Sequence, residues 1–186
     1  MRVHTLLNES ITELTSLVQQ CSQFLEEAGV NPLFKNLPRQ YSDFHKVKVR
    51  KRKSKGVDDI FNEAFDYHAL RQRSVIANGI HSFLLEGGTL DPFYVFPIDG
   101  YKFIYSDQVQ DSSTEYEDVF GSIVEGFGQA KGNQVITEML QFTYTNENLS
   151  EGIERGSEII LYNIPYYYAV RADMDYDELL TDLSDL

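Results

Sequence analysis

Phe93-Tyr94-Val95-Phe96-Pro97-Ile98-Asp99-Gly100-Tyr101-Lys102-Phe103-Ile104-Tyr105 is the stretch on which the fold turns. Two aromatic and β-branched runs flank Pro97 to Gly100, and an Asp-Gly pair between such runs is a hairpin signal. The proline and isoleucine ahead of it leave the turn type open, so the reading is strand, turn, strand. The same composition recurs downstream. Glu158-Ile159-Ile160-Leu161-Tyr162 and Tyr166-Tyr167-Tyr168-Ala169-Val170 read as two further strands, preceded by a short helix near Glu147 to Arg155.

Upstream the period changes. Leu7, Ile11, Leu14, Val18, Cys21 and Leu25 are spaced by fours and threes, which puts them on one side of a single helix. Gly29 is a C-terminal stop and Pro32 prevents continuation. Cys21 lies on the apolar stripe and reads as a buried small hydrophobe rather than a nucleophile. Pro32 to Gln40 is irregular or briefly extended, and Phe44 to Arg50 alternates as a strand with Val47 and Val49 inward. Asp58 or Asp59 caps a short helix through Ile60, Phe61, Ala64 and Phe65. Ser74 to Ala77 is another strand. Ile123 to Tyr144 holds a helical pattern, with four glycines between Gly121 and Gly132 marking a loop before it.

A chain of 186 residues with 42% hydrophobic content fits one globular domain. No stretch approaches the roughly 20 apolar residues that cross a bilayer, and the start meets charge too early for a secretory signal. The expected location is the cytoplasm, with no membrane partner. One cysteine excludes an internal disulfide, and without clustered histidines it gives no zinc pattern. A net charge of −13 argues against the whole chain binding nucleic acid.

The charge is nevertheless segregated. Seven of the sixteen basic residues fall between Lys46 and Lys55, and Asp173 to Leu186 carries six acids and no base. The basic run has three readings: a solvated strand edge whose lysines deter edge pairing is favoured, phosphate binding is the second choice, and a contact surface for nucleic acid or an acidic protein is the third. Without interleaved aromatics it makes a poor single-strand platform. The last fourteen residues, 173–186, read as a solvated acidic tail; the alternative is an amphipathic helix that docks on a partner through Leu179, Leu180, Leu183 and Leu186.

The order of these features resembles ADP-ribosyltransferase-like proteins of tailed bacteriophages over roughly residues 18 to 172. Pro32-Leu33-Phe34-Lys35-Asn36-Leu37 resembles the strand with the family's Tyr-Arg-Gly-type motif, and Lys35 stands where the family has its NAD-contacting arginine. Arg73-Ser74-Val75-Ile76-Ala77-Asn78-Gly79 resembles the strand with the Ser/Thr motif, with Ala77 and Asn78 at the hydroxyl positions. Tyr94 to Ser106 resembles the family's strand, proline, glycine and second strand. Arg155 to Leu161 resembles the strand that carries the catalytic glutamate, which points to Glu158. The arginine-modifying subgroup has a second acid two residues earlier, where this chain has Gly156.

The resemblance implies an α+β fold of twisted mixed or antiparallel sheets forming a split core, flanked by an N-terminal helix and shorter helices. It implies NAD and no metal. Breaking the nicotinamide bond passes through an oxocarbenium-like state, so a carboxylate beside the ribose is required. Glu158 would be that group. Lys35 keeps the charge of arginine but not its planar fork. Arg39, Arg71 or Arg73 could replace the fork, and Ala77, Asn78, Tyr94 and Tyr105 would line the cleft. His45 and His68 form no catalytic pair at informative spacing. Three roles compete: a transferase acting on a host component, a protein that keeps the fold but binds or inhibits a host protein without catalysis, and a virion component.

Overall fold

The computed structural model describes residues 3–53, 56–68, 70–80, 89–108, 112–173 and 175–186, with the side chains of 3–11, 56–57 and 112–118 left aside. The architecture is α+β. The described residues form seven helices and eight strands, in the order α1 (Val3–Gln20), α2 (Ser22–Ala28), β1 (Phe34–Pro38), β2 (Phe44–Lys48), α3 (Gly56–Ala64), β3 (Val75–Asn78), β4 (Leu90–Pro97), β5 (Lys102–Ser106), α4 (Ser112–Phe127), α5 (Gln129–Thr143), β6 (Tyr144–Thr145), α6 (Leu149–Glu154), β7 (Glu158–Tyr162), β8 (Tyr166–Arg171) and α7 (Tyr176–Ser184).

All strand pairings are antiparallel and run β2-β8-β4-β1-β3-β7-β5-β6. The sheet has a seam. β1 and β4 pair over five residues, whereas β1 and β3 meet only at Phe34 and Asn78. Two four-stranded halves are therefore joined through one residue pair.

The strands of the opening stretch do not form a hairpin with each other. β4 pairs with β1 and β8 in one half, and β5 pairs with β6 and β7 in the other. β7 and β8 are divided in the same way, so the two successive strand–turn–strand units lie side by side and each crosses the seam. The turn is still the one the Asp-Gly pair signals: Tyr101 N–H donates to Ile98 O at 3.3 Å, with Gly100 at φ 84°. That positive φ is what glycine supplies. Its partners explain the crossing. Asn163, in the β7–β8 turn, donates from Nδ2 to Gly100 O at 2.9 Å. Asp99 accepts from Ser22 Oγ and Gln23 N, both at 2.8 Å.

The same aspartate accounts for a break in the N-terminal helix. The apolar stripe is continuous, but the helix divides at Cys21, where Asp99 supplies acceptors to the first residues of α2 while its own N–H takes Gln20 O. Cys21 is fully buried, as its place on the stripe implies, and burial pushes its thiol well above the ordinary range.

The glycine-rich segment is helical rather than a loop. α4 runs through Gly121 and Gly126, and the chain breaks only at Gly128, with φ 77°. Gly132 is there for packing: a Cβ on it would lie 2.9 Å from Val124 Cα, so α4 and α5 cross closely at that point.

Two cores result. Leu17, Phe24, Phe96, Ile159 and Tyr168 belong to the larger one, with α1, α2, α6 and α7; Ile60, Phe61, Ile104, Ile136 and Ile160 form the second, under α3, α4 and α5. The C-terminal residues expected to be a solvated tail form α7, whose Tyr176, Leu179 and Leu183 are buried in the larger core. Its acids explain the difference, since Asp175 accepts from Asp177 N at 2.9 Å and Asp177 and Glu178 occupy the first turn. They cap and complement the helix rather than solvate a coil.

Arg171, at the end of β8, closes this half of the sheet. Its guanidinium donates to Asp43 Oδ1 at 2.8 Å, to Asp91, and to the carbonyls of Arg39 and Tyr41 at 3.1 and 2.6 Å, and it lies over the Phe93 ring. Arg171→Met keeps the stem but orphans two carbonyls and leaves Asp91 with Arg39 as its remaining cation, so a loss of about 3 kcal/mol is expected. Urea unfolding measures it, and Arg171→Lys should recover only part because one ammonium cannot reach four acceptors.

Candidate functional site at the seam

Glu158 owes its position to the turn before it. At the end of α6, Ser157 N–H donates to Gly152 O at 3.0 Å and Gly156 N–H to Ile153 O at 2.9 Å, with Gly156 at φ 72°. This is a Schellman cap with glycine at its left-handed residue. It ends the helix at Glu154, three residues short of β7, which begins at Glu158. A side chain at position 156 would be strained and would have to displace Ile80. A Cβ there would lie 2.1 Å from Ile80 Cδ1, and the backbone conformation disfavours any side chain.

β3 presents Asn78 directly opposite Glu158, and Asn78 is also the residue that bridges to Phe34 of β1. Gly79 enables this approach, since a Cβ on it would collide with Ile153 O at 1.8 Å. Lys35 follows Phe34. Its Nζ donates to Ile76 O at 2.6 Å, reaching across the seam into the other half.

Further cations converge on this point. Arg52 N–H donates to Gln72 O at 2.9 Å, and its guanidinium donates to Arg71 O. Arg71 is buried at 4% exposure, over the Phe61 ring and 3.8 Å from Asp58 Oδ1. Glu158 is also buried, at 6% exposure. The groups act on one another. Burial, then Arg52, lowers the Lys35 ammonium to about 8 against the pull of Glu158. Burial and Arg71 press on Arg52, while Asp58 and Glu158 support its charge. Three cations and two carboxylates thus share one partly dry region.

The sign of the Lys35 effect can be checked. With its folded value lowered to about 8 from 10.5, the unfolded chain holds a proton between those values that the folded chain has released. Stability from this group therefore rises with pH across that window, and its penalty is complete below it. Lys35→Met should remove this pH-dependent contribution and be relatively stabilising near neutral pH. The comparison is made by urea unfolding of both proteins at pH 7.5 and pH 10, because buried tyrosines cancel in the difference.

The other expected site residues lie elsewhere. Ala77 is buried in the larger core, on the opposite side of β3 from Asn78. Arg39 is exposed and pairs with Asp91 at 2.7 Å, and Arg73 is exposed. Tyr94 packs its ring on Phe34 and on Tyr176 of α7. Tyr105 lies against Gly152, its hydroxyl donating to Asn148 O at 3.3 Å. Beside it a concavity of about 540 Å³ is lined by Glu27, Phe103, Asn148 and Glu151, whose acids suit no phosphate. Arg52 and Asp58 are the members that sequence reading did not select. Arg52 was hidden within a run of cations, and the aspartate was expected to cap α3, whereas the helix starts at Gly56 and places Asp58 and Asp59 within its first turn.

Among the described residues no group of three or more metal-ligating side chains is arranged to hold an ion, and no helix is long and apolar enough to cross a membrane. No family model, curated protein or solved structure matches this chain.

Proposed function

We propose that this chain is an ADP-ribosyltransferase-like protein, of the kind found in tailed bacteriophages, that binds NAD at the seam and acts on a host component. The observation that carries the reading is the convergence of Lys35, Asn78 and Glu158, far apart in sequence, on the single bridge between the half-sheets. The residues fit the ligand in charge. Lys35, with Arg52 and Arg71 behind it, would neutralise the diphosphate, and Glu158 would hold a ribose hydroxyl and stabilise the positive charge that develops as the bond to nicotinamide breaks. Nicotinamide leaves with the bonding pair, and the acceptor bonds to the ribose carbon and loses its proton.

The burial of Glu158 and the tie of Lys35 to Ile76 O favour a second reading, in which the fold is retained for binding a host protein and the reaction is lost. Incubation with NAD and measurement of free nicotinamide separates them. Release above the no-protein rate supports the transferase; binding of NAD without release supports the second reading, and neither binding nor release removes NAD from the account.

A further inference from the structure

The end of the half-sheet farthest from the seam is an open edge. β2 closes the strand order and pairs on one side only, with β8. Its register fixes where the backbone groups point. Arg171 N–H donates to Asp43 O at 2.7 Å and Val49 N–H to Pro165 O at 2.9 Å, so the odd-numbered residues from Asp43 to Val49 bond inward to β8. In an antiparallel pair the intervening residues turn their N–H and C=O groups the other way. Phe44 O, on that outer side, accepts from Ser42 Oγ. The backbone groups of Lys46 and Lys48 also face outward, and no described residue bonds to them.

The side chains along this edge carry one sign. Lys46, Lys48 and Arg50 alternate with the more buried Val47 and Val49, and Lys51 and Lys53 follow. All five cations are exposed, residues 44–53 contain no acid, and among the described residues none of the five makes an ion pair. Such cations deter a neutral or basic strand from pairing here. Two copies of the edge would set like charges opposite each other, which destabilises a pair. An acidic strand meets neither obstacle. Directly opposite residues of an antiparallel pair share a face, and alternate residues of a strand are about 6.8 Å apart. An added strand with an acid at every second position therefore sets one carboxylate against each of Lys46, Lys48 and Arg50. Phosphodiester groups, by contrast, carry no donor for the outward carbonyls. The nearby rings are also engaged already: Tyr41 stacks on His45 at 4.3 Å, and Lys46 Nζ covers Tyr166 at 3.7 Å.

We infer that the β2 edge takes up an extended acidic segment of another polypeptide as an added antiparallel strand, with carboxylates at alternate positions over Lys46, Lys48 and Arg50. Main-chain hydrogen bonds to Lys46 and Lys48 supply the hold, and the alternating cations select the partner. The surface is independent of the NAD reading. Arg52 takes no part, since its guanidinium is turned inward to Arg71 O.

The test is fluorescence anisotropy of a labelled, end-blocked heptapeptide of alternating glutamate and threonine, titrated with the full chain at about 20 mM salt, where screening is weak. The glutamates lie opposite the lysines, so in an antiparallel ladder their N–H groups are the ones aimed at β2. N-methylating the glutamates keeps the charge but removes the bonds to the carbonyls of Lys46 and Lys48, and should weaken binding about tenfold or more. Lys48→Glu with Arg50→Glu should weaken the glutamate peptide at least about tenfold with an unchanged thermal midpoint, and should admit the matching lysine–threonine peptide. If that variant fails to fold, Lys48→Gln with Arg50→Gln should weaken the glutamate peptide by about threefold or more. The inference is overturned by no binding of the glutamate peptide, by an N-methylated peptide that binds as tightly, or by a folded variant that binds it unchanged. It is equally overturned by an oligothymidylate of the same charge that binds as tightly, or by self-association of the chain that the peptide reverses, which would give the edge to a second copy.

Discussion

Glu158→Gln is expected to lower nicotinamide release from NAD at least a hundredfold, the loss typical when one preorganised electrostatic contact to a developing charge is removed. Glutamine preserves shape and hydrogen bonding, so the change isolates the charge. Glu158 is 6% exposed, and its charge opposes the lowering that burial imposes on the Lys35 ammonium. The variant should therefore also drive the Lys35 ammonium below its value of about 8. Two readouts follow from one substitution. Turnover should fall together with the pH above which Lys35 is neutral, whereas a glutamate serving only as a solvated surface charge would move neither.

Deleting residues 175–186 is expected to unfold the chain. Tyr176, Leu179 and Leu183 are 7%, 4% and 3% exposed and belong to the larger core. Burial of such side chains stabilises by about 1.5–3 kcal/mol each, so the helix contributes about 6 kcal/mol, against a typical total of about 5–15 kcal/mol. The tyrosine ring also covers Tyr94 and Phe96 at centroid distances of 4.9 and 6.2 Å. Loss of the cooperative thermal transition in the truncated chain would bear this out. A retained transition within a few degrees of the parent would mean that α7 is dispensable. Truncation is thus a test of folding, and a role for the C-terminal acids in partner binding is better probed by exchanging Glu178, Asp182 and Asp185 for their amides.

Element type was legible wherever a local period was strong. The stripe from Leu7 to Leu25 signals helix, though not its break at Cys21, the alternation from Phe44 to Arg50 signals an edge strand with outward lysines, and Glu158 to Tyr162 signals a strand. Pairing was not legible. The Asp-Gly turn is real, yet hydrogen bonds from Asn163 and to Asp99 direct its strands into different halves, and such partners lie about 60 to 77 residues away. Glycine misled for a related reason: Gly132 serves a helix crossing with Val124, a contact that looks like a loop signal until the neighbour is known.

The site shows the same division. Lys35, Asn78 and Glu158 were selected through the order of strands, and the fold gathers them at the seam. Arg39, Tyr94 and Tyr105 were selected on the same grounds, but Arg39 is an exposed partner of Asp91 and the two tyrosines are buried in the larger core, because sequence order fixes neither which face a residue takes nor which acid claims a guanidinium. Gly156 is the instructive case. It forms the left-handed cap that ends α6 ahead of β7, a backbone conformation that strains any side chain there.

Calorimetric titration of the protein with NAD at pH 7 and pH 9.5 is the most direct test of the seam as a nucleotide site. Because the Lys35 ammonium is lowered to about 8, the account predicts binding at pH 7 that weakens at least tenfold at pH 9.5, and a Lys35→Met variant that binds weakly at both. Absence of heat at pH 7, or binding that neither pH nor Lys35→Met alters, would contradict it.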